Sequence, residues 1–311
     1  MSKIKNMMVA FLAIFMLGSS FVTVSASADA NSNYTKAMDK YNKTSSATYV
    51  MNMDTNQVYY QKNATSKRAV ASTAKIMTLY LAIQKAQTTK NGWNQKVKIS
   101  PSLARMSRHH SLGSYVLKAN KKYTVRNLYK ASLIASSNSA TIALGQWVSG
   151  TNNKFIKKMN SQVKAWGIAS QARFVSSSGL ENSDLYPYYI RYGSHYDYNR
   201  VSAKALAVIA SHLLKLYPAI VNDAKMYRYH QSGQTLKNAN ELLAGGLRYD
   251  AALHVDGLKT GYTPLAGNCL VSTSQLPNKN RVIIVSLHDR FNAYDQSRMY
   301  KMIYKTFPEF K

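Results

Sequence analysis

A single cysteine in 311 residues leaves no internal disulfide to form, and 13 acidic residues stand against 41 lysines and arginines. A disulfide-stapled scaffold is therefore excluded, and the chain has to fold by burying a core. Proline is scarce, at 6 positions, and no proline-rich or glycine-rich linker and no internal repeat divides the sequence. With 46% hydrophobic and 11% aromatic residues, disorder as the general state is excluded as well. Beyond the N-terminus no stretch is apolar for the ~20 residues that a membrane-spanning helix needs.

What the N-terminus does carry is a targeting pattern. Lys3 and Lys5 precede an apolar stretch from Met7 to Leu17, and small residues close it at Ala26-Ser27-Ala28. This predicts a signal peptide over residues 1–28 and a protein that works outside the cytoplasmic membrane, secreted, extracellular or cell-wall associated. The alternative, an anchor that is never cut, suits so short an apolar run less well. Losing Lys3 and Lys5 takes the formal charge from +28 to +26. Such a charge fits nucleic acid, an anionic membrane surface or an anionic extracellular polymer. Export argues against nucleic acid, and no aromatic-basic nucleic-acid motif is present. A merely solvated surface remains the plain alternative.

Residues 29–46 are polar and read as a leader or a short first helix, leaving 47–311 as the folded domain. Ala47 to Met53 and Val58 to Gln61 read as strands around the turn residues Asp54-Thr55-Asn56-Gln57, a hairpin. From Ser72 to Gln84 the pattern turns helical, with Ile76, Leu79, Tyr80 and Ile83 at three- and four-residue steps. Further helices are predicted from the Thr124 cap through Leu133, from Ser139 through Val148, from the Thr151 cap to Trp166 and from the Ser202 cap to Leu216. The last third changes period, with short strands at His254 to Lys259, Asn268 to Thr273 and Arg281 to Leu287, then a closing helix from Phe291 to Thr306. Strands at both ends with helices between them predict an α+β fold, one antiparallel sheet covered by helices.

Three short segments could carry chemistry. Ser72-Thr73-Ala74-Lys75 sets a hydroxyl and an amine three positions apart at a helix start, on one face, where the amine can activate the serine. Taken alone the spacing is weak, since Ser161 with Lys164 repeats it. Ser136-Ser137-Asn138 lies between two helices and can project a hydroxyl and an amide into a cleft, though taken on its own helix capping is the better explanation. Lys259-Thr260-Gly261, at a predicted strand end, offers a cation and a hydroxyl to an anion, with a glycine that lets a ligand approach the backbone; an ordinary strand end with a glycine turn would look the same.

The order of the three segments in an exported chain resembles that of the D-alanyl-D-alanine carboxypeptidases, the low-molecular-mass penicillin-binding proteins of serine peptidase family S11. The likeness extends to Ala71 through Thr78, Ser178-Gly179-Leu180, Val255 through Thr263 and Ala266 through Leu270, and covers nearly all of residues 45–306. It implies a penicillin-binding, β-lactamase-like fold with a helical subdomain, and an enzyme without metal or organic cofactor that trims peptidoglycan stem peptides. It implies that Ser72 attacks the carbonyl between two terminal D-alanines while Lys75 takes its proton, and that water clears the acyl-enzyme. Ser136 would relay a proton to the leaving amine, Asn138 would hold the peptide, and Lys259 with Thr260 and Gly261 would receive the terminal carboxylate. The amides of Ser72 and Tyr262 would form the oxyanion hole. β-Lactams would act as covalent inhibitors, and anionic wall polymer is a further partner.

Two departures stand out. The chain ends soon after the predicted closing helix, which leads one to expect neither the second β-rich domain nor the terminal amphipathic helix of many relatives. The segment from Tyr186 to Tyr198 holds six tyrosines and reads as an insertion or a packed surface loop. A class A β-lactamase is the enzymatic alternative, but neither Glu181 nor Glu241 begins that family's Glu-X-X-Leu-Asn pattern. A non-catalytic wall-binding protein on the same fold is the other. None of the seven histidines lies in a metal-ligand pattern, and Cys269 reads as a small buried strand residue.

Overall fold

A computed structural model of the chain describes residues 28–311, so the predicted signal peptide lies outside the described residues except for Ala28. The segment expected as a leader or short helix is a helix, α1 (Ala28–Tyr41). Strands β1 (Ala47–Asn52) and β2 (Val58–Lys62) form the predicted hairpin, closed where Asn52 Oδ1 accepts from the N–H groups of Asp54 and Thr55. Late in the chain come β3 (Val255–Thr263), β4 (Gly267–Gln275) and β5 (Arg281–Leu287). The five make one sheet in the order β2-β1-β5-β4-β3, antiparallel throughout. The first strands thus pair with the last, as an α+β arrangement requires.

Both faces of this sheet are covered, and the sequence alternates accordingly. Ile283, Val285 and Leu287 of β5 face one cluster with Tyr49 and Met51 of β1, under α6 (Ala203–Leu216). Val282 and Ile284 face the other way with Val50, against α1 and the closing helix α7 (Asn292–Thr306). There Tyr34 meets Phe307 edge to face at 5.2 Å. The larger cluster continues into the helical layer around α2 (Lys75–Thr88), whose Ile76, Met77, Leu79, Leu81 and Ile83 are all fully buried. A helix apolar on nearly every side belongs in a core. Around it pack α3 (Val125–Leu133), α4 (Asn138–Ser149) and α5 (Asn152–Ala165). Thr124, Thr151 and Ser202 cap their helices as predicted, each accepting from a backbone N–H three residues on at 3.1–3.2 Å.

The structure corrects several boundaries. Ser72 lies not in an α-helix but in a 3₁₀ turn, Ala71–Ala74, that precedes α2. Helix α4 starts one residue earlier than predicted because Ser137, accepting from Ala140 N, is its cap. β3 runs on through Gly261 to Thr263, so Lys259 is mid-strand rather than at a strand end. The sequence reading also missed the small hairpin of Arg228–Gln231 with Gln234–Lys237, turned by Ser232 and Gly233 at positive φ. The tyrosine-rich segment buries Tyr188 and Ile190, and Ser102 and Arg105 donate to the carbonyls of Tyr188 and Pro187. Its Tyr189 and Tyr196 stay 91% and 85% exposed.

Candidate active site

Strand β3 is an edge of the sheet, and it lies against the turn that holds Ser72. A Cβ built on Gly261 would come within 2.9 Å of the backbone nitrogens of both Ser72 and Thr73. Glycine at this position is what allows strand and turn to touch. Ala71, just before the serine, sits at φ +46, a left-handed conformation costly for alanine. That kink, followed by a 3₁₀ turn in which residues three apart eclipse, sets the side chains of Ser72 and Lys75 one over the other.

Lys75 Nζ lies 2.6 Å from Ser72 Oγ, 2.7 Å from Asn138 Oδ1 and 2.6 Å from the carbonyl of Ser178. The orientation of the Asn138 amide is fixed from its other side, where Nδ2 donates to Leu112 O at 2.9 Å. Two of the three partners of Lys75 can therefore only accept. A neutral amine gives its two hydrogens to those carbonyl oxygens and turns its lone pair to the Ser72 hydroxyl. Burial, and then the Lys259 charge, hold the Lys75 pKa well below the usual lysine range. The site is thus built to present a neutral base to a serine.

Lys259 is itself 3% exposed, and burial brings its pKa down to about 7. Its ammonium donates to Thr260 O at 2.9 Å. It stands behind the cleft wall, which Thr260, Gly261 and Tyr262 form. Arg281 holds this strand in place, pairing with Asp256 at 2.7 Å. Opposite, Ser136 lines the cleft from the loop before α4, at φ +57. All eight residues singled out in the sequence converge here. Ser72, Ser136, Asn138, Thr260, Gly261 and Tyr262 border one cleft of about 580 Å³, with Lys75 and Lys259 buried beside it.

Ser178 and Gly179 entered the sequence analysis only as part of the family likeness, with no role given to them, and other parts of the cleft lining escaped it. The Ser178 carbonyl orients Lys75, and it is placed by Gly179 at φ +90, where a Cβ would fall 1.9 Å from Ala71 O. The Ser111–Ser114 loop, Glu241, Arg248, Arg290 and Phe291 also line the cleft. Their only sequence signal is residue type in irregular segments, which no spacing rule picks out. Cys269 pairs with Gly261 across the sheet, and burial pushes its thiol up to about 12, so it is no nucleophile near neutral pH. Among the described residues no group of three or more His, Cys, Asp or Glu could hold a metal.

The family model for D-alanyl-D-alanine carboxypeptidases, peptidase S11, matches residues 21–290. The chain belongs to this family. The D-alanyl-D-alanine carboxypeptidase DacF of Bacillus subtilis is 30% identical over 280 residues, 88% of this chain and 65% of that protein. DacA of Haemophilus influenzae is 27% identical over 76% of this chain and 56% of its own length. The chain therefore spans less than two thirds of the length of these two relatives. Among solved structures, the peptidoglycan synthesis regulatory factor PBP3 of Streptococcus pneumoniae superposes with TM-score 0.77 at 28% identity, covering 84% of this chain and 73% of that one. Penicillin-binding protein D2 of Listeria monocytogenes, solved in an ampicillin-bound form, gives 0.68 at 26% identity, over 83% of this chain and 97% of that one. The penicillin-binding, β-lactamase-like α+β fold expected from the motifs is the one observed.

Proposed function

We propose that this protein is a serine D-Ala-D-Ala carboxypeptidase that removes the terminal D-alanine from peptidoglycan stem peptides. The observation that carries the reading is the Lys75 amine, with two carbonyl acceptors and one hydroxyl as its partners. Lys75 takes the Ser72 proton as Oγ attacks the carbonyl carbon of the penultimate D-alanine. The negative charge that develops on oxygen meets the backbone N–H groups of Ser72 and Tyr262. Ser136 relays the proton that Lys75 took to the departing D-alanine amine, the C–N bond breaks, and an ester on Ser72 remains with Lys75 neutral again. Water adds to that ester and releases the shortened peptide, returning the proton to Ser72. An extended peptide finds hydrogen-bonding partners along the free edge of β3, with its terminal carboxylate at Thr260, in the field of Lys259.

The same chemistry makes β-lactams covalent inhibitors, since ring opening leaves an acyl group on Ser72. The protein acts after export, secreted or wall-associated, and its large positive charge holds it on anionic wall polymer. The test uses one preparation with a labelled penicillin and a peptide ending in D-Ala-D-Ala. The expected result is a persistent label on Ser72 and release of free D-alanine. Rapid repeated penicillin hydrolysis without D-alanine would mean a β-lactamase instead. Neither reaction from folded protein would leave a non-catalytic wall-binding protein.

A further inference from the structure

The catalytic cleft does not end at its own rim. A second concavity of about 380 Å³, lined by Lys40, Lys43, Thr44, Arg248, Phe291, Tyr294, Asp295 and Arg298, shares Arg248, Phe291 and Tyr294 with the cleft. It is built where the end of α1 and the segment after it meet the start of α7. Among the described residues none of its four cations forms an ion pair. Aromatic faces hold the two arginines instead. The Arg298 guanidinium lies 3.9 Å from the Tyr41 ring centre and 5.1 Å from that of Tyr294, and Arg248 lies 5.2 Å from Tyr294. A cation anchored on a ring keeps its charge available, where one anchored on a carboxylate does not. Asp295 is the lone acid in the lining, 6% exposed; burial and then the nearby Asp289 charge move its pKa up to about 7 against the opposing pull of Arg298, so near neutral pH it offsets only part of that field. Phe291 and Tyr294 are 51% and 44% exposed and present ring surface between the charges.

We infer that this groove binds a phosphodiester polymer, joined to the same wall material whose stem peptides enter the cleft. Four cations against a single buried acid ask for a ligand with repeated fixed anionic charge. Continuity through Arg248, Phe291 and Tyr294 means that one ligand can occupy groove and cleft together, so the groove positions wall-linked substrate at the active site. The inference rests on the carboxypeptidase reading for the identity of that substrate, while the binding itself can be measured without it.

The test compares two variants of equal net charge. Lys40→Glu/Lys43→Glu reverses two exposed groove lysines, and Lys154→Glu/Lys157→Glu reverses two exposed lysines on α5, which the groove does not include. Binding of a fluorescent poly(glycerol phosphate) oligomer is measured by anisotropy at ~0.1 M salt, where charges are screened beyond ~10 Å. The groove variant should bind about tenfold more weakly than the parent or worse, and the α5 variant within about twofold of it. Equal weakening in both variants, or no binding by the parent, overturns the groove. So does tighter binding to phosphatidylglycerol vesicles than to the oligomer, which would make the ligand a membrane. Release of D-alanine from a small soluble peptide is measured alongside and should be the same in parent and groove variant. If the parent releases none, the carboxypeptidase reading fails independently of the groove result.

Discussion

Replacing Lys75 by methionine keeps the length and apolar stem of the side chain and removes only the amine. In the parent that amine has three partners within 2.7 Å, two of them carbonyl oxygens that force its lone pair toward Ser72. Without it the serine hydroxyl has no base, and a positioned base contributes ~10²–10⁴-fold. Acylation should therefore slow by that factor, about 3–5 kcal/mol of barrier. Folding should survive. Two carbonyl oxygens lose a donor, at about 1–3 kcal/mol each, but the fold no longer has to desolvate a buried ionisable group, which offsets part of that cost. The assay is the time course of acylation by a fluorescent penicillin across pH, with the label mapped to its peptide and the Tm taken on the same samples. In the parent the rate should rise with pH as Lys75 loses its proton, and begin to do so well below the ordinary lysine pKa of 10.5. In the variant that rise should vanish along with most of the rate. Undiminished acylation by folded Lys75→Met, or a parent rate that does not fall on acidification, would refute the assignment of Lys75 as the base.

Three further outcomes are expected. Asn138→Asp puts an anion 2.7 Å from Lys75 Nζ, which favours the charged amine; the acylation profile should move to higher pH, and an unmoved profile would show that Asn138 does not face the reacting amine. Gly179→Ala forces a Cβ into Ala71 O and a non-glycine residue to φ +90, so urea unfolding should report a loss of at least ~2 kcal/mol together with slower acylation; an unchanged midpoint would contradict the tight packing of that turn. Binding of a non-hydrolysable peptide carboxylate at pH ~8, above the Lys259 pKa of about 7, should draw a proton onto Lys259. Calorimetry in two buffers of different ionisation enthalpy measures that uptake, which should disappear in Lys259→Met, and a parent that takes up no proton would place the carboxylate elsewhere.

Much of this site was legible because its chemistry sits at fixed short spacings. Ser72 and Lys75 are three apart, Ser136 and Asn138 two apart, and Lys259 to Tyr262 contiguous, so local geometry alone brings each set together. The hairpin, the caps Thr124, Thr151 and Ser202, and β5 were legible for similar reasons, since alternation and capping are local signals. What failed were boundaries decided by tertiary contact. β3 continues past Lys259 because β4 pairs with it to Thr263, although Gly261 and the following turn look like a stop in one dimension. Ser72 is held in a 3₁₀ turn by the strand edge at Gly261 and by the Gly179 turn beneath Ala71, neither of which is near it in sequence. The cleft walls from Glu241, Arg248 and Arg290 were illegible because each is a single charged residue on a loop, unremarkable until the fold brings it to the cleft.

The two buried lysines show what this arrangement costs and what it gains. A lysine whose pKa is lowered by folding binds fewer protons folded than unfolded between its folded pKa and 10.5. Stability therefore rises with pH across that window, which for Lys259 opens at about 7, and the penalty is greatest on the acid side. The fold bears that penalty on the side of the pH scale where Lys75 would otherwise be useless as a base. Lys259 ties the two effects together. Its charge is the second cause of the lowered Lys75 pKa, yet burial alone leaves it near half-protonated at neutral pH. An anion arriving at Thr260 favours the charged form of Lys259, and a charged Lys259 favours the neutral form of Lys75. On the proposed carboxypeptidase reading, carboxylate binding and base activation are coupled through one amine, so the serine is activated most strongly when a substrate of the right charge is in place.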